Sequence, residues 1–340
     1  MNAPGTQPGQ ARHNQLMTTI YYESDADLSV LNGSTIAVVG YGNQGRSWAL
    51  NLRDSGCSPL VCVRADPTRE LAEADGFNVH GIEAANEADL VCVLVPDDVI
   101  PLLGLRPSGT SCVIVASGYS LAFDRLVPPG DSGVVAPRML GPEVRRCYEE
   151  GVGFISAVGV HRDATGLARG RVLAIALAIG GLRQGGIELT AMQEAVLDLA
   201  VEQALSPALT AVNTSFVQVM LERGIPLEAI MTELFLSGEV ERTYRLLREV
   251  GYAVQSEFHS PTSQYGQLSR RGRYDHLDFL TVMRALVDDI ESGRFADEWD
   301  AERDAGYPEL TALKEHHAGP VVREVEADLR RRLGPAVTVR

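Results

Sequence analysis

The segment EAVLDLAVEQ (194 to 203) sets Glu194, Asp198 and Glu202 at i, i+4 and i+8. On a helix this spacing stacks three carboxylates along one face, each turned only about 40° from the last. Like charges so stacked repel unless solvent or a cation neutralises them, so the stripe reads either as a solvated acidic face or as a site for a hard cation. A second pattern, GYGNQG (40 to 45), lies between an apolar strand and a helix, the context in which glycines grip a dinucleotide. Gly40 permits the tight turn, Gly42 lets backbone approach a diphosphate, and Gly45 allows close helix packing. The amides of Tyr41, Asn43 and Gln44 are then presented with the helix start to the phosphates. VLVPDD (93 to 98) follows a strand and brings Pro96 and Asp97 beside the same cofactor, as does Gly118 in VASGY (115 to 119). Arg64 closes the second strand, where an acid would hold the ribose diol of NAD and a base the extra phosphate of NADP. Asp66 and Arg69 pull in opposite directions, and Thr68 is able to donate to a phosphate. The balance favours NADP(H) over NAD(H).

The elements that must position these residues follow from hydrophobic pattern. TIAVVG (35 to 40), PLVCVR (59 to 64), DLVCVLVP (89 to 96), SCVIVAS (111 to 117), GVVAP (133 to 137) and FISAVGV (154 to 160) are short, apolar and not alternating. Helical stretches separate them, at 41 to 56, 68 to 74 and 83 to 88, with another at 164 to 181. This alternation predicts an α/β fold with a parallel sheet covered on both faces. Beyond Gly186 strand signals nearly vanish, and 190 to 224, 226 to 250 and 274 to 293 have helical periodicity. The expected organisation is an arm (1 to 30), a Rossmann domain (31 to 185), a helical domain (186 to 328) and a tail (329 to 340). Leu205, Leu209, Val212, Phe216 and Val219 make an apolar stripe too long for a solitary bundle, which predicts an intimate homodimer.

Composition narrows the function classes. Forty-five acidic against 30 basic residues give a formal charge of -15, which argues against nucleic acid or an anionic membrane as partner. The five cysteines, three of them in apolar strands, read as buried thiols of a reducing compartment. No apolar leader and no long uncharged apolar span is read, so a cytoplasmic protein is expected.

VVGYGNQGRSWALNLRDSG (38 to 56) resembles the first motif of the ketol-acid reductoisomerases, in their short form with one helical domain. PDDVI (96 to 100), HRDATG (161 to 166), the helix end at 248 to 252 and ESGRFADEWDAERDAG (291 to 306) extend the resemblance over nearly the whole chain. The resemblance implies an NADPH-binding Rossmann domain, a knotted, all-helical dimerising domain and active sites between subunits. The implied reaction is a magnesium-assisted alkyl migration in a 2-aceto-2-hydroxy acid followed by reduction of the 2-keto group, a step of branched-chain amino acid biosynthesis. By the same resemblance Asp198 and Glu202 are metal ligands, Glu194 a catalytic acid, Glu239 a metal ligand supplied across the dimer, and Ser260 the holder of the substrate carboxylate.

Three positions depart from the family. Arg138, in VAPRMLGP (135 to 142), stands in place of a lysine near the reacting oxygen; it keeps the charge but does not release its proton. Ser117 replaces a histidine, removing a titratable group. Phe235 replaces a glutamate four residues before Glu239, and on a continuous helix Glu233 points away from that face. One Mg2+ rather than two is expected. The reading is a reductase of the C=O or C=N bond in a small carboxylate-bearing keto or imino acid. An authentic reductoisomerase and a non-catalytic NADP(H)-binding protein are the alternatives. Arg145 and Arg146 are read as anion binders or surface charge, and His161 and His259 as structural.

Overall fold

The computed structural model describes residues 17–333, and the first half of the expected arm lies outside them. Two compact units divide at Asp198 and Leu199.

The first unit is built on nine strands: β1 (Ile20–Tyr21), β2 (Ile36–Val39), β3 (Leu60–Cys62), β4 (Val79–His80), β5 (Leu90–Val93), β6 (Cys112–Val115), β7 (Asp131–Pro137), β8 (Ser156–Arg162) and β9 (Gly186–Glu188). Their order is β1-β9-β8-β7-β6-β5-β2-β3-β4. The strands from β4 across to β7 are all parallel, as the apolar runs predict. The sheet as a whole is mixed, which corrects the expectation of a parallel one. β8 runs antiparallel to β7, and β1 antiparallel to β9. The apolar run of β8 reads alike in either direction and β1 is two residues long, so hydrophobic pattern carries no sign of the reversal. Helix α1 (Asn43–Asp54) follows β2, α2 (Pro67–Ala74) follows β3, α3 (Tyr119–Ala122) follows β6, α4 (Gly141–Glu149) follows β7 and α5 (Ala168–Ala178) follows β8.

Side-chain alternation on the central strands feeds two cores. Val38, Leu90 and Ile114 meet Trp48, Leu52, Ile175 and Ile179 on one side; Ala37, Val91, Val113 and Val134 meet Ala85, Ile100 and Leu121 on the other. Each fully buried large side chain contributes about 1.5–3 kcal/mol. Cys62, Cys92 and Cys112 are buried free thiols within these layers. Because the chain builds β2-β3-β4 outward and then returns to β5 on the opposite side of β2, the crevice at the carboxyl ends of β2 and β5 is a topological switch point, where ligands of such sheets bind.

The second unit is helical. A long helix passes from α6 (Ala191–Ala200) through a π turn (Val201–Leu205) into α7 (Ser206–Glu222). Then come α8 (Leu227–Met231), a second π turn (Thr232–Leu236), α9 (Glu239–Glu257), α10 (Pro261–Arg270), α11 (Phe279–Glu291), α12 (Arg294–Asp304), α13 (Pro308–Ala318) and α14 (Pro320–Leu333). Helix α14 carries regular structure beyond 329 to Leu333. No side chain of α7 is buried, and Leu209, Val212, Phe216 and Val219 are exposed. The helix from Ala191 to Glu222 is by length and apolar composition able to cross a membrane.

Candidate active site

The glycine-rich turn has the geometry its residue types require. Gly40 adopts φ +96°, and a Cβ there would meet the Leu94 carbonyl oxygen at 2.6 Å. A Cβ on Gly45 would fall 2.2 Å from the Gly40 carbonyl oxygen, so helix α1 can begin this close to β2 only without one. Gly42 faces open space, which leaves its backbone accessible. A cleft of about 240 Å³ opens here, lined among others by Gly40, Tyr41, Gly42, Arg64, Asp66, Thr68 and Pro96. Gln44 is turned inward: its Nε2 donates to the Met139 carbonyl at 3.3 Å, and its Oε1 accepts from Trp48 Nε1 at 3.2 Å. Asn43 is exposed at the helix start.

At the cleft's other end Asp66 caps α2, accepting from the Thr68 amide at 2.9 Å and from its hydroxyl. The Thr68 hydroxyl is thus directed at Asp66 in this structure. The Thr68 bonds hold the Asp66 carboxyl below its ordinary range, so the cleft carries a negative charge beside the exposed Arg64.

A second group of residues gathers at the same, carboxyl-terminal edge of the sheet. Arg138 leaves the end of β7, Ser117 and Gly118 follow β6, Asp97 follows β5, and Glu194 and Asp198 come from α6. The Arg138 guanidinium pairs closely with Glu194 Oε1 and reaches Asp198 Oδ1 at 3.4 Å. Glu194 Oε2 accepts the Gly118 amide, and Gly118 has no space for a Cβ between the Ala191 carbonyl and that carboxylate. Burial pushes the Glu194 carboxyl above its ordinary range, and the Gly118 and Arg138 bonds only partly offset it. Asp97 accepts from Ser120 Oγ at 3.0 Å; burial first, then the charges of Glu194 and Asp198, push it up to about 6. Ser117 Oγ accepts the Tyr119 amide at 3.3 Å.

Several expectations change. Asp97 accepts from Ser120 and the Gly118 amide donates to Glu194, while Val95, Pro96, Val99 and Leu103 of the segment after β5 line the cleft. The stripe on α6 is not uniformly solvated: Glu194 is 1% exposed and Asp198 half-exposed. Glu202 falls in the π turn, which widens the helical step from Asp198 and interrupts the regular i, i+4 face. The face on which Glu239, Phe235 and Glu233 were compared is not one helix. The π turn at Thr232–Leu236 and Gly238 at φ +76° separate them, and α9 starts anew at Glu239. Phe235 therefore cannot be placed relative to Glu239 by counting helical steps. Glu239 is exposed at that start, and Ser260 caps α10, accepting from the Ser263 amide at 3.3 Å. Arg145 is committed to Asn51, Asp54 and Glu149. His259 bonds Gln255 at 3.0 Å, and His161 is exposed.

Sequence reasoning passed over Asp75 and Ser120. Asp75 receives Tyr41 from the glycine-rich turn and Arg46 from α1, at separations of 34 and 29 residues, so no local motif announces it.

Among known proteins, residues 30–185 match the family description "acetohydroxy acid isomeroreductase, NADPH-binding domain", and 192–334 match "ketol-acid reductoisomerase, C-terminal domain". The solved structure of an NADH-preferring ketol-acid reductoisomerase from an uncultured archaeon is 31% identical, covering 92% of this chain and 98% of that one, with a TM-score of 0.85. A semialdehyde dehydrogenase NAD-binding protein from Cupriavidus necator shares the fold at 20% identity, covering 76% of this chain and 99% of that one, with a TM-score of 0.56. With both of its domains matched and a switch-point cleft beside a carboxylate and guanidinium cluster, the chain belongs to the ketol-acid reductoisomerase family and is an NAD(P)H-dependent oxidoreductase.

Proposed function

We propose that this protein reduces the C=O or C=N bond of a small carboxylate-bearing keto or imino acid and does not carry out the family's alkyl migration. The observation that carries this reading is Arg138, held between Glu194 and Asp198 where the family has a lysine. A guanidinium binds and polarises an oxygen through a fixed fork of donors but does not give up a proton at neutral pH. Reduction needs one polarised bond, one hydride and one proton, and this cluster suits that smaller demand.

In the mechanism, the turn from Gly40 to Gly45 holds the diphosphate, and Arg64, Asp66 and Thr68 meet the adenosine ribose. A reduced nicotinamide held there would supply the hydride. Arg138 orients the substrate oxygen or nitrogen, and Glu194, whose burial raises its affinity for a proton, takes one up once Arg138 turns to the substrate and delivers it. Ser260 holds the substrate carboxylate. Ser117, without a ring, leaves room where the family has an imidazole.

A two-metal centre does not fit the residues seen. Asp198 is engaged by Arg138, and Phe235 stands where the family has a glutamate, a side chain with no atom to offer a hard cation. A single Mg2+ would need Asp198, Glu202 and Glu239 of a second copy, and no step above depends on it. The exposed stripe of α7 favours that second copy, in a cytoplasmic homodimer with active sites shared between subunits. NADPH and NADH are both accommodated by this reading. Arg64 favours the former, while the ionised Asp66 and the similar NADH-preferring enzyme favour the latter.

The experiment is a screen of small 2-keto and 2-imino acids for NADPH and NADH oxidation, with and without Mg2+. Turnover of at least one of them without added Mg2+ is expected; inertness toward all, with turnover confined to a 2-aceto-2-hydroxy acid plus Mg2+, contradicts the proposal.

A further inference from the structure

We infer that Asp75 is a positioning residue for the cofactor, tying the diphosphate turn to the helix that selects the adenosine ribose. One carboxylate takes three bonds that join distant parts of the cleft. Its Oδ2 accepts the Tyr41 hydroxyl at 2.8 Å and Arg46 Nε at 2.7 Å, and its Oδ1 accepts Arg46 Nη2 at 3.1 Å. Tyr41 is the bulky residue inside the glycine-rich turn, and Arg46 is in the first turns of α1. Asp75 itself ends α2, the helix whose opposite end carries the Asp66 and Thr68 cap facing the ribose end of the cleft.

The arrangement has the stiffness a positioning role requires. The Tyr41 ring is 2% exposed and meets Phe77 edge-on, with centroids 5.8 Å apart. Arg53 donates to the Asp75 carbonyl at 2.7 Å and lies over the same Phe77 ring at 4.8 Å. Arg46 bonds the carboxylate through two nitrogens, which fixes direction as well as distance. The result sets the tilt of α2 and the path of the turn together, so the phosphate-binding amides and the ribose-facing carboxylate keep one mutual distance. A cofactor reaching both ends then meets a preformed site and loses less freedom on binding. Neither Asp75 nor Arg46 needs to touch the cofactor for this.

The test is fluorescence titration of NADH and NADPH on the full-length protein carrying Asp75→Asn, with kcat and KM for the cofactor on a reducible substrate. Losing a charge-assisted hydrogen bond of this kind is expected to weaken both nucleotides by about tenfold. KM for the cofactor should rise in parallel while kcat at saturation holds. Tyr41→Phe, which keeps the ring and loses one bond, should weaken binding by about threefold and add little on top of Asp75→Asn, since both remove the same contact. Should Asp75→Asn fail to fold, Tyr41→Phe and Arg46→Met carry the same readout singly. Unchanged affinity in the presence of a lowered Tm would show a merely structural bond and overturn the inference, as would a fall in kcat with affinity intact. Nucleotide titration requires no knowledge of the substrate, so it stands or falls apart from the proposed reaction.

Discussion

The two halves of this chain differ in how far each is finished. In the first unit helix α5 buries Val172, Ala174, Ile175, Ala176 and Ala178, and even its charges are enclosed, Asp131 being fully buried against Arg171 and the amides of Ala164 and Thr165. In the second unit helix α7 is as apolar but buries no side chain, and Val212, Phe216, Val219, Tyr274 and Phe279 line an open groove of about 520 Å³. Sequence hydrophobicity of the same strength therefore means a core in one region and an unmet surface in the other. The glycine-rich cleft is lined within a well-packed unit, whereas the helical half leaves an apolar face exposed.

The sharpest way to break that comparison is on α7. Placing aspartate at Val212 and Phe216 together should convert the protein to a monomer in light-scattering chromatography and abolish turnover, while NAD(P)H still binds the first unit. A double variant that remains dimeric would remove the contrast. An effect of intermediate size is expected inside the first unit. Arg138→Met leaves the buried Glu194 carboxylate without its cation, which costs roughly 3 kcal/mol in urea unfolding at pH 8. The loss should shrink at acid pH, where Glu194 takes up a proton in the variant.

The smallest effect concerns Asp97. A carboxyl raised in the folded state holds its proton more tightly there than in the unfolded chain. Its contribution is therefore full below its ordinary value of 3.8 and is lost as the pH climbs through about 6. Asp97→Asn keeps a partner for Ser120 and removes the charge, so it should raise Tm by a few degrees at pH 8 and leave it unchanged near pH 4. An equal gain at both would show that ionisation is not the cause.

How much could be read in the sequence depends on the range over which each feature is encoded. The glycine-rich turn was legible because Gly40, Gly42 and Gly45 fall within six residues, and at Gly40 and Gly45 the fold leaves no room for a Cβ. The apolar strands and the change to helix were legible from periodicity. Strand direction was not: β8 reads alike either way, and β1 pairs with β9 across 165 residues or more of chain. Glu194 and Asp198 were legible as a helical carboxylate stripe and Arg138 through family resemblance, yet nothing in their spacing says that the arginine would bridge the two acids. Two π turns and the left-handed Gly238 defeated helical counting at Glu202 and Glu239, because periodicity assumes the regular step that those turns interrupt. Asp75 was silent because its partners come together only in three dimensions.

The reading of a reductase without isomerisation meets its most direct test in one incubation. Purified protein, 2-acetolactate, Mg2+ and either nicotinamide nucleotide in reduced form are mixed and the products separated by chromatography. The account predicts that 2-acetolactate survives and no dihydroxy acid forms. Accumulation of 2,3-dihydroxyisovalerate in step with nucleotide oxidation would contradict it.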